Sequence, residues 1–258
     1  MPSLFDQFNG LHHAANLFVL PNAWNPKSAR LLQDNHFAAI ATSSAAVANS
    51  LGYADGEEMP LDEYLYMIKR IVSSVTIPVS VDIEMGYGST DDAIYANIQQ
   101  LVDLGVVGIN IEDSIIHKTR RTLKEANAFA RTIDYLRNKL TAHHADLFIN
   151  VRCDTFILGV ENTLPETLQR LSLYEAAGAN GIFLPCIANE EDISTVVSHT
   201  QLPLNIMCIP GLPDFDTLHN WGVQRVSMGP FLFNKVYDQV NQLAQATLTA
   251  NSFAPLLA

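Results

Sequence analysis

The sequence predicts a (β/α)8 TIM barrel filling one domain, residues 1–258, and three observations carry that prediction. Eight short runs rich in β-branched and aromatic residues alternate strictly with longer runs of helical periodicity. Gly recurs at the end of a helical run, two to four residues before a strand, in LGVVGINI, AGANGIFL and WGVQRVSM. That is the place of a left-handed helix cap. No Pro/Ser-rich linker or change of composition divides the chain, and strict alternation in one undivided unit favours a closed barrel over an open doubly wound sheet.

The first strand is LFVLPNA (17–23), followed by the helix PKSARLLQDN. AAIATSS (38–44) leads through a loop of small residues into LDEYLYMIKRIVSS, and PVSVDIE (78–84) into DDAIYANIQQLVDLG. VGINIED (107–113) precedes a loop, EDSIIHKTRRTLKEA, and the helix LKEANAFARTIDYLRNKL. LFINVRCD (147–154), GIFLPC (181–186), PLNIM (203–207) and RVSMGP (225–230) complete the strands. Their helices are LPETLQRLSLYEAAG, EEDISTVVSH, a shorter one around DFDTLHNW, and NKVYDQVNQLAQATL.

Apolar residues make up 48% of the chain and charged residues 16%, which fits a compact globule. The 27 acidic against 15 basic residues give a net charge of -12, which opposes a nucleic-acid or anionic-membrane role. An anionic small molecule binds such a protein only where a cation reverses the local field. MPSLFDQFNGLHHAANLFVL has no basic n-region and no long apolar run, so the expected location is the cytoplasm, with no membrane partner. Cys153, Cys186 and Cys208 cannot all pair and lack metal spacing, so they read as buried reduced thiols.

In a barrel the outward face of each strand packs beneath helices and the inward face lines the interior. Val79, Val81 and Ile83 read as outward, leaving Ser80, Asp82 and Glu84 inward. By the same phase Asn110 and Glu112 point inward from the next strand, and Asn150, Arg152 and Asp154 from the one after. A single such carboxylate reads as a salt bridge or loop cap. Three neighbouring strands whose inward charges crowd their C-terminal ends read as an active site, because that end is where these barrels carry one.

Asp82, Glu84 and Glu112 cannot all stay ionised without a counter-charge. An oxygen-rich site poor in Cys and His suits Mg²⁺, or Mn²⁺ in its place, with several waters retained. Arg152 is a planar donor suited to bidentate capture of a carboxylate or phosphoryl group. Metal and arginine together are what a 2-oxo acid needs: chelation through carboxylate and carbonyl, and stabilisation of the enolate. Ser43 offers a hydroxyl, and the small residues after it offer backbone N–H groups to an oxyanion. No G-x-S-x-G elbow makes Ser43 a hydrolase nucleophile. Asp55, in the following loop, is placed to reach the metal through water.

In order and position, LPNAWNPKSARLL, AIATSSA, LGYADGE, VSVDIEMGYG, GINIEDS, NVRCDTF, AGANGIFLP, PLNIM and RVSMGP resemble the isocitrate lyase/phosphoenolpyruvate mutase superfamily, from about Phe5 to Val236. The resemblance extends to a phosphonomutase-like subgroup without an assigned substrate. It implies a barrel whose last helix is exchanged with a neighbouring subunit, in a homo-oligomer that is a dimer or tetramer. It implies Mg²⁺ near Asp82, with Glu84, Glu112 and Asp55 bound directly or through water. Ser43 and the N–H groups of Ser44 and Ala45 would hold the enolate, and Arg152 the substrate.

Departures from the family pattern narrow the chemistry. The lyase loop Lys-[Lys/Arg]-Cys-Gly-His is absent, which argues against isocitrate or methylisocitrate cleavage by that route. The mutase loop's Lys-Thr-Asn is matched only as Lys118-Thr119-Arg120, and Glu84 stands where the mutases have Asp. His117 and Lys118 remain as loop candidates for proton transfer, against the commoner reading of solvated loop residues. Asn205 is a candidate substrate contact from the seventh strand. Gly86 and Gly88 read as turn glycines before a phosphate cradle, and His12-His13 and His143-His144 as surface residues.

The expected activity is Mg²⁺-dependent cleavage or rearrangement of a C–C or P–C bond in a small anionic 2-oxo or 2-hydroxy acid or phosphonate, through a pyruvate-enolate intermediate. Phosphonopyruvate hydrolysis and oxaloacetate-type decarboxylation use the same site. A keto-acid-binding pseudoenzyme is the non-catalytic alternative. An enolase-like barrel lacks its strand-end bases and capping domain here, and a Schiff-base aldolase lacks a strand-end lysine.

Overall fold

Pro21 has no N–H to give a sheet, and it divides the first predicted strand into β1 (Phe18–Leu20) and β2 (Asn22–Ala23). The computed structural model describes residues 2–117 and 120–257. The sequence continues with β3 (Ile40–Thr42), β4 (Val79–Asp82) and β5 (Gly108–Glu112). After β5 comes a two-stranded antiparallel hairpin, β6 (Ser114–His117) and β7 (Arg120–Leu123), in the segment expected to be loop. β8 (Phe148–Arg152), β9 (Gly181–Leu184), β10 (Leu204–Met207) and β11 (Arg225–Ser227) follow.

The main sheet is parallel throughout and runs β1-β11-β10-β9-β8-β5-β4-β3-β2. Because β1 and β2 flank one proline, β1 pairs with the last strand while β2 pairs with β3, and the sheet curls into a nearly closed barrel. Asn22 helps close the seam: its Oδ1 accepts from the N–H groups of Met228 and Gly229, and its Nδ2 donates to the Thr42 carbonyl. The predicted outward residues Val81, Ile83, Ile109, Ile111, Ile149, Val151 and Cys153 are buried in the core between barrel and helices. Gly105, Gly178 and Gly222 have φ of +91°, +91° and +88°, as helix-capping glycines should. Among the described residues no helix is long and apolar enough to cross a membrane.

Two local expectations are corrected. Cys153 is buried, but Cys186 and Cys208 are exposed, because they lie just past the ends of β9 and β10, beyond the helical cover. Gly86 and Gly88 are turn glycines as expected, and their turn packs on the helix Asp91–Asp103: a Cβ on either would come within 2.8 Å of Ile94.

The second correction is His12. An N-terminal helix, Leu4–His12, is started by a capping box between Ser3 and Asp6 and plugs the barrel at the N-terminal ends of its strands. There Phe8 packs with Phe18 and Phe148, and His12 stacks on Phe148 with ring centroids 4.0 Å apart, so His12 is buried rather than exposed. Arg225 Nη1 lies 3.1 Å from His12 Nε2, and His12 Nδ1 lies 2.8 Å from the Phe8 carbonyl. A guanidinium only donates, so Nε2 accepts and Nδ1 carries the proton. Burial first, and then the Arg225 charge, hold the His12 pKa well below its usual value.

This sets a pH dependence. An unfolded histidine takes up a proton below about 6.5, whereas folded His12 does not. The stability that neutral His12 supports is present above that pH and is lost as pH falls, by at most about 1.4 kcal/mol per unit. Urea unfolding at several pH values between 7.5 and 5 should show a shallower decline in His12→Gln than in the unmodified protein. Identical slopes would contradict the assignment.

Candidate active site

β4 ends at Asp82, β5 at Glu112 and β8 at Arg152, so the strand phase brings these three charges to one end of the barrel. Asp82 is in register with Asn110, and Glu112 with Arg152. A cavity of about 160 Å³ opens here. Ser43, Ser44, Ala45, Asp55, Asp82, Asn110 and Arg152 supply much of its polar lining. The rest of the lining is Asn22, Ile157, Phe183, Pro185, Met207, Ser227, Gly229 and Pro230.

Asp55 and Asp82 meet at one hydroxyl: Ser44 Oγ is 3.1 Å from Asp55 Oδ1 and 3.3 Å from Asp82 Oδ2. Its single proton satisfies one of them at a time. Burial pushes the Asp82 pKa up to about 7; Arg152 opposes the shift, and Glu112 and Asp55 add to it. Tyr64 and Thr42 hold the strand end beneath it: Tyr64 OH donates to the Asp82 carbonyl at 2.6 Å, and the Asp82 N–H donates to Thr42 Oγ1 at 3.1 Å.

Glu84 lies past the end of β4, in a left-handed conformation with φ of +52°. Its carboxylate accepts from the Glu57 N–H at 2.9 Å and from Tyr87 OH at 3.2 Å, and Glu57 accepts in turn from the Tyr87 N–H at 2.7 Å. Burial, followed by the charges of Asp55 and Asp82, raises the Glu84 pKa to about 9. Glu112 is held between two arginines. Arg152 Nη1 is 2.9 Å away, and Arg121 from the hairpin binds the other oxygen. Arg152 also grips Asp154 through Nε at 2.6 Å and Nη2 at 3.2 Å. Burial disfavours the Arg152 charge, but Glu112, Asp154 and Asp82 outweigh it and raise the pKa.

These positions bear on the expected metal. Among the described residues no three Asp, Glu, His or Cys side chains gather closely enough to hold an ion by themselves. Glu84 and Glu112 are engaged elsewhere, while Asp55 and Asp82 converge on one point in the cavity wall. An acid pair with raised proton affinity at Asp82 suits a hard cation that keeps most of its waters, and suits Mg²⁺ better than a metal needing a full protein cage.

Ser43 caps the helix Ser44–Ser50, its Oγ accepting from the Ala46 N–H at 3.3 Å. Ser44 and Ala45 are the first residues of that helix, so their N–H groups have no intrahelical acceptor. Asn205 points into the barrel but does not line the cavity. It sits two residues below Met207, buried, with both amide atoms unpartnered among the described residues. His117 ends β6, and Lys118 lies outside the described residues. Sequence reasoning missed Arg121, Glu57 and Tyr87. Arg121 belongs to the hairpin, and the sequence between its two strands has no Gly or Asn to announce it, whereas Tyr87 carried a signal in its two flanking glycines.

This fold and this acidic strand-end site define a barrel of the phosphoenolpyruvate mutase/isocitrate lyase type. The chain belongs to the phosphoenolpyruvate phosphomutase family, whose model matches residues 8–248. An uncharacterised protein of Mycobacterium tuberculosis is 34% identical over 222 residues, 86% of this chain and 81% of its own. Oxaloacetate decarboxylase 1 of Pseudomonas fluorescens is 28% identical, covering 83% of this chain and 72% of its own. A solved structure of a candidate phosphonomutase from Burkholderia cenocepacia superposes with a TM-score of 0.88 at 32% identity, over 93% of this chain and 98% of that one.

Proposed function

We propose that the protein is a Mg²⁺-dependent enzyme that breaks or rearranges a bond next to the carbonyl of a small 2-oxo or 2-hydroxy acid, through an enolate of pyruvate type. The observation that carries this reading is the convergence of Asp55 and Asp82 on Ser44 Oγ, in a cavity that also exposes Arg152. Asp82 and Asp55 would hold Mg²⁺, with Glu84 and Glu112 acting through water and Mn²⁺ able to substitute. Bound there, the ion would polarise the carbonyl and offset the enolate charge.

The chain's own groups do the rest. The N–H groups of Ser44 and Ala45 and the Ser43 hydroxyl receive the enolate oxygen. Arg152 donates to Asp154 through Nε and Nη2 and forms an ion pair with Glu112, and its remaining N–H groups bind the substrate carboxylate. His117 and Lys118, the candidates named from the sequence, would serve as proton donors or acceptors. Phe183, Pro185, Met207 and Ile157, which also line the cavity, would receive the substituent on the pyruvoyl unit, and their apolar surface favours a carbon group over a phosphoryl group.

Incubation with 2-hydroxy and 2-oxo diacids and with phosphonopyruvate, coupled to pyruvate detection, tests the reading. Mg²⁺-dependent pyruvate release from a carbon-substituted acid is the expected result. Binding without release from any of these acids would favour a keto-acid-binding pseudoenzyme.

The reading extends to a homo-oligomer with exchanged C-terminal helices. In the single chain the helix Phe231–Ala250 buries only Phe233, leaving Val236, Tyr237, Val240 and Leu243 exposed. A second copy of the chain would cover this face. Sedimentation at micromolar concentration should return a dimer or tetramer, and a monomer alone would contradict it.

A further inference from the structure

The barrel holds a second arginine that the chemistry above does not use. Arg225 of β11 is fully buried, and among the described residues no carboxylate lies within ion-pair distance of it. An uncompensated buried guanidinium is costly, so its place in the fold calls for a reason. Burial lowers its pKa to about 9, which leaves it charged at neutral pH. One side of it faces His12 on the N-terminal helix. The other faces Asn110: Arg225 Nη2 is 3.0 Å from Asn110 Oδ1.

Asn110 is part of the cavity wall. Which end of an amide is oxygen and which is nitrogen is often ambiguous, but here chemistry decides. A guanidinium has no acceptor, so the atom facing Arg225 must be oxygen. Asn150 Nδ2 reaches the same Oδ1 at 2.8 Å. Two donors from inside the barrel thus occupy both lone pairs, and Asn110 Nδ2 donates to no acceptor among the described residues. Its two N–H groups are left for the cavity.

We infer that Asn110 is a substrate-binding residue whose NH₂ group donates to an anionic oxygen of the substrate, and that Arg225 is a positioning residue that fixes this orientation from beneath. The positive charge under the amide also makes the donor stronger. The ligand class is a carboxylate or enolate oxygen. The inference rests on reading the cavity as a 2-oxo acid site.

Calorimetric titration of oxalate in saturating Mg²⁺ tests it, with thermal unfolding to confirm that each variant is folded. Asn110→Leu keeps the shape and removes the donor, and should weaken oxalate at least about tenfold. Asn110→Asp still accepts from Arg225 and Asn150 but offers a negative oxygen to the cavity, and should weaken it further. Arg225→Met should weaken it about tenfold, and Arg225→Gln, which restores a donor to Asn110, should recover most of the loss. A merely structural arginine would not distinguish Gln from Met in this way.

No oxalate binding by the unmodified protein would overturn the reading of the cavity and this inference with it. Binding by the unmodified protein and equally by Asn110→Leu would overturn the inference alone. Loss in Asn110→Leu with no difference between Arg225→Gln and Arg225→Met would remove the role of Arg225. If the Arg225 variants do not fold, the side-chain amide resonance of Asn110 in the unmodified protein decides: it should shift on oxalate binding, and an unchanged resonance would overturn the inference.

Discussion

Replacing Arg152 with Met should destabilise the protein by about 3–5 kcal/mol and abolish anion binding. Three of its nitrogens lie 2.6 to 3.2 Å from Glu112 and Asp154, carboxylates whose side chains are 1% and 0% exposed. Removing the guanidinium leaves both acids in a medium that penalises charge. Arg121 remains beside Glu112 and Asp154, and Ser114 Oγ still donates to Asp154 at 2.6 Å, so the loss should fall at the lower end of that range. Arg152→Lys keeps the charge but cannot bridge two carboxylates with a planar fork, so it should recover stability better than binding. Urea unfolding is the measurement. A loss below about 1 kcal/mol would mean that the pair is carried by Arg121 instead.

Asp82→Asn should have the opposite profile, with binding lost and the fold retained. Loss of a residue that only orients a metal ligand typically costs 10–100-fold in affinity, so loss of the ligand itself should weaken Mg²⁺-dependent oxalate binding by about 100-fold or more. Stability should hold or rise. Burial raises the Asp82 pKa to about 7, so ionising it in the folded state costs free energy at neutral pH. A neutral amide of the same shape removes that cost and the repulsion from Asp55 and Glu112. A large fall in melting temperature with unchanged oxalate affinity would make Asp82 a structural residue.

The inward polar series Ser80, Asp82, Asn110, Glu112, Asn150 and Arg152 was legible because strand side chains alternate strictly and apolar neighbours fix the phase. That logic stops where the strand stops. Glu84 continues the alternation on paper, yet β4 ends at Asp82 and the chain turns through a left-handed residue, which sends the Glu84 carboxylate to Glu57 and Tyr87. Depth along the barrel axis was equally hidden. Asn205 has the right phase but lies below the cavity, and only the stagger between strands decides such a difference. His12 looked like a surface histidine because its short helix has little to mark it beyond the Ser3 cap. Its burial comes from the aromatic floor at Phe18 and Phe148 and from Gly108, where a Cβ would come within 2.6 Å of Phe8.

Calorimetric titration of oxalate, a mimic of the pyruvate enolate, into the unmodified protein with and without Mg²⁺ tests the central claim most directly. Tight binding that requires the metal is the predicted result, since Arg152 and the helix N–H groups alone face too many carboxylates to hold a dianion. No binding in either condition would contradict the account, and would make the meeting of Asp55 and Asp82 at Ser44 a feature of the fold rather than of a catalyst.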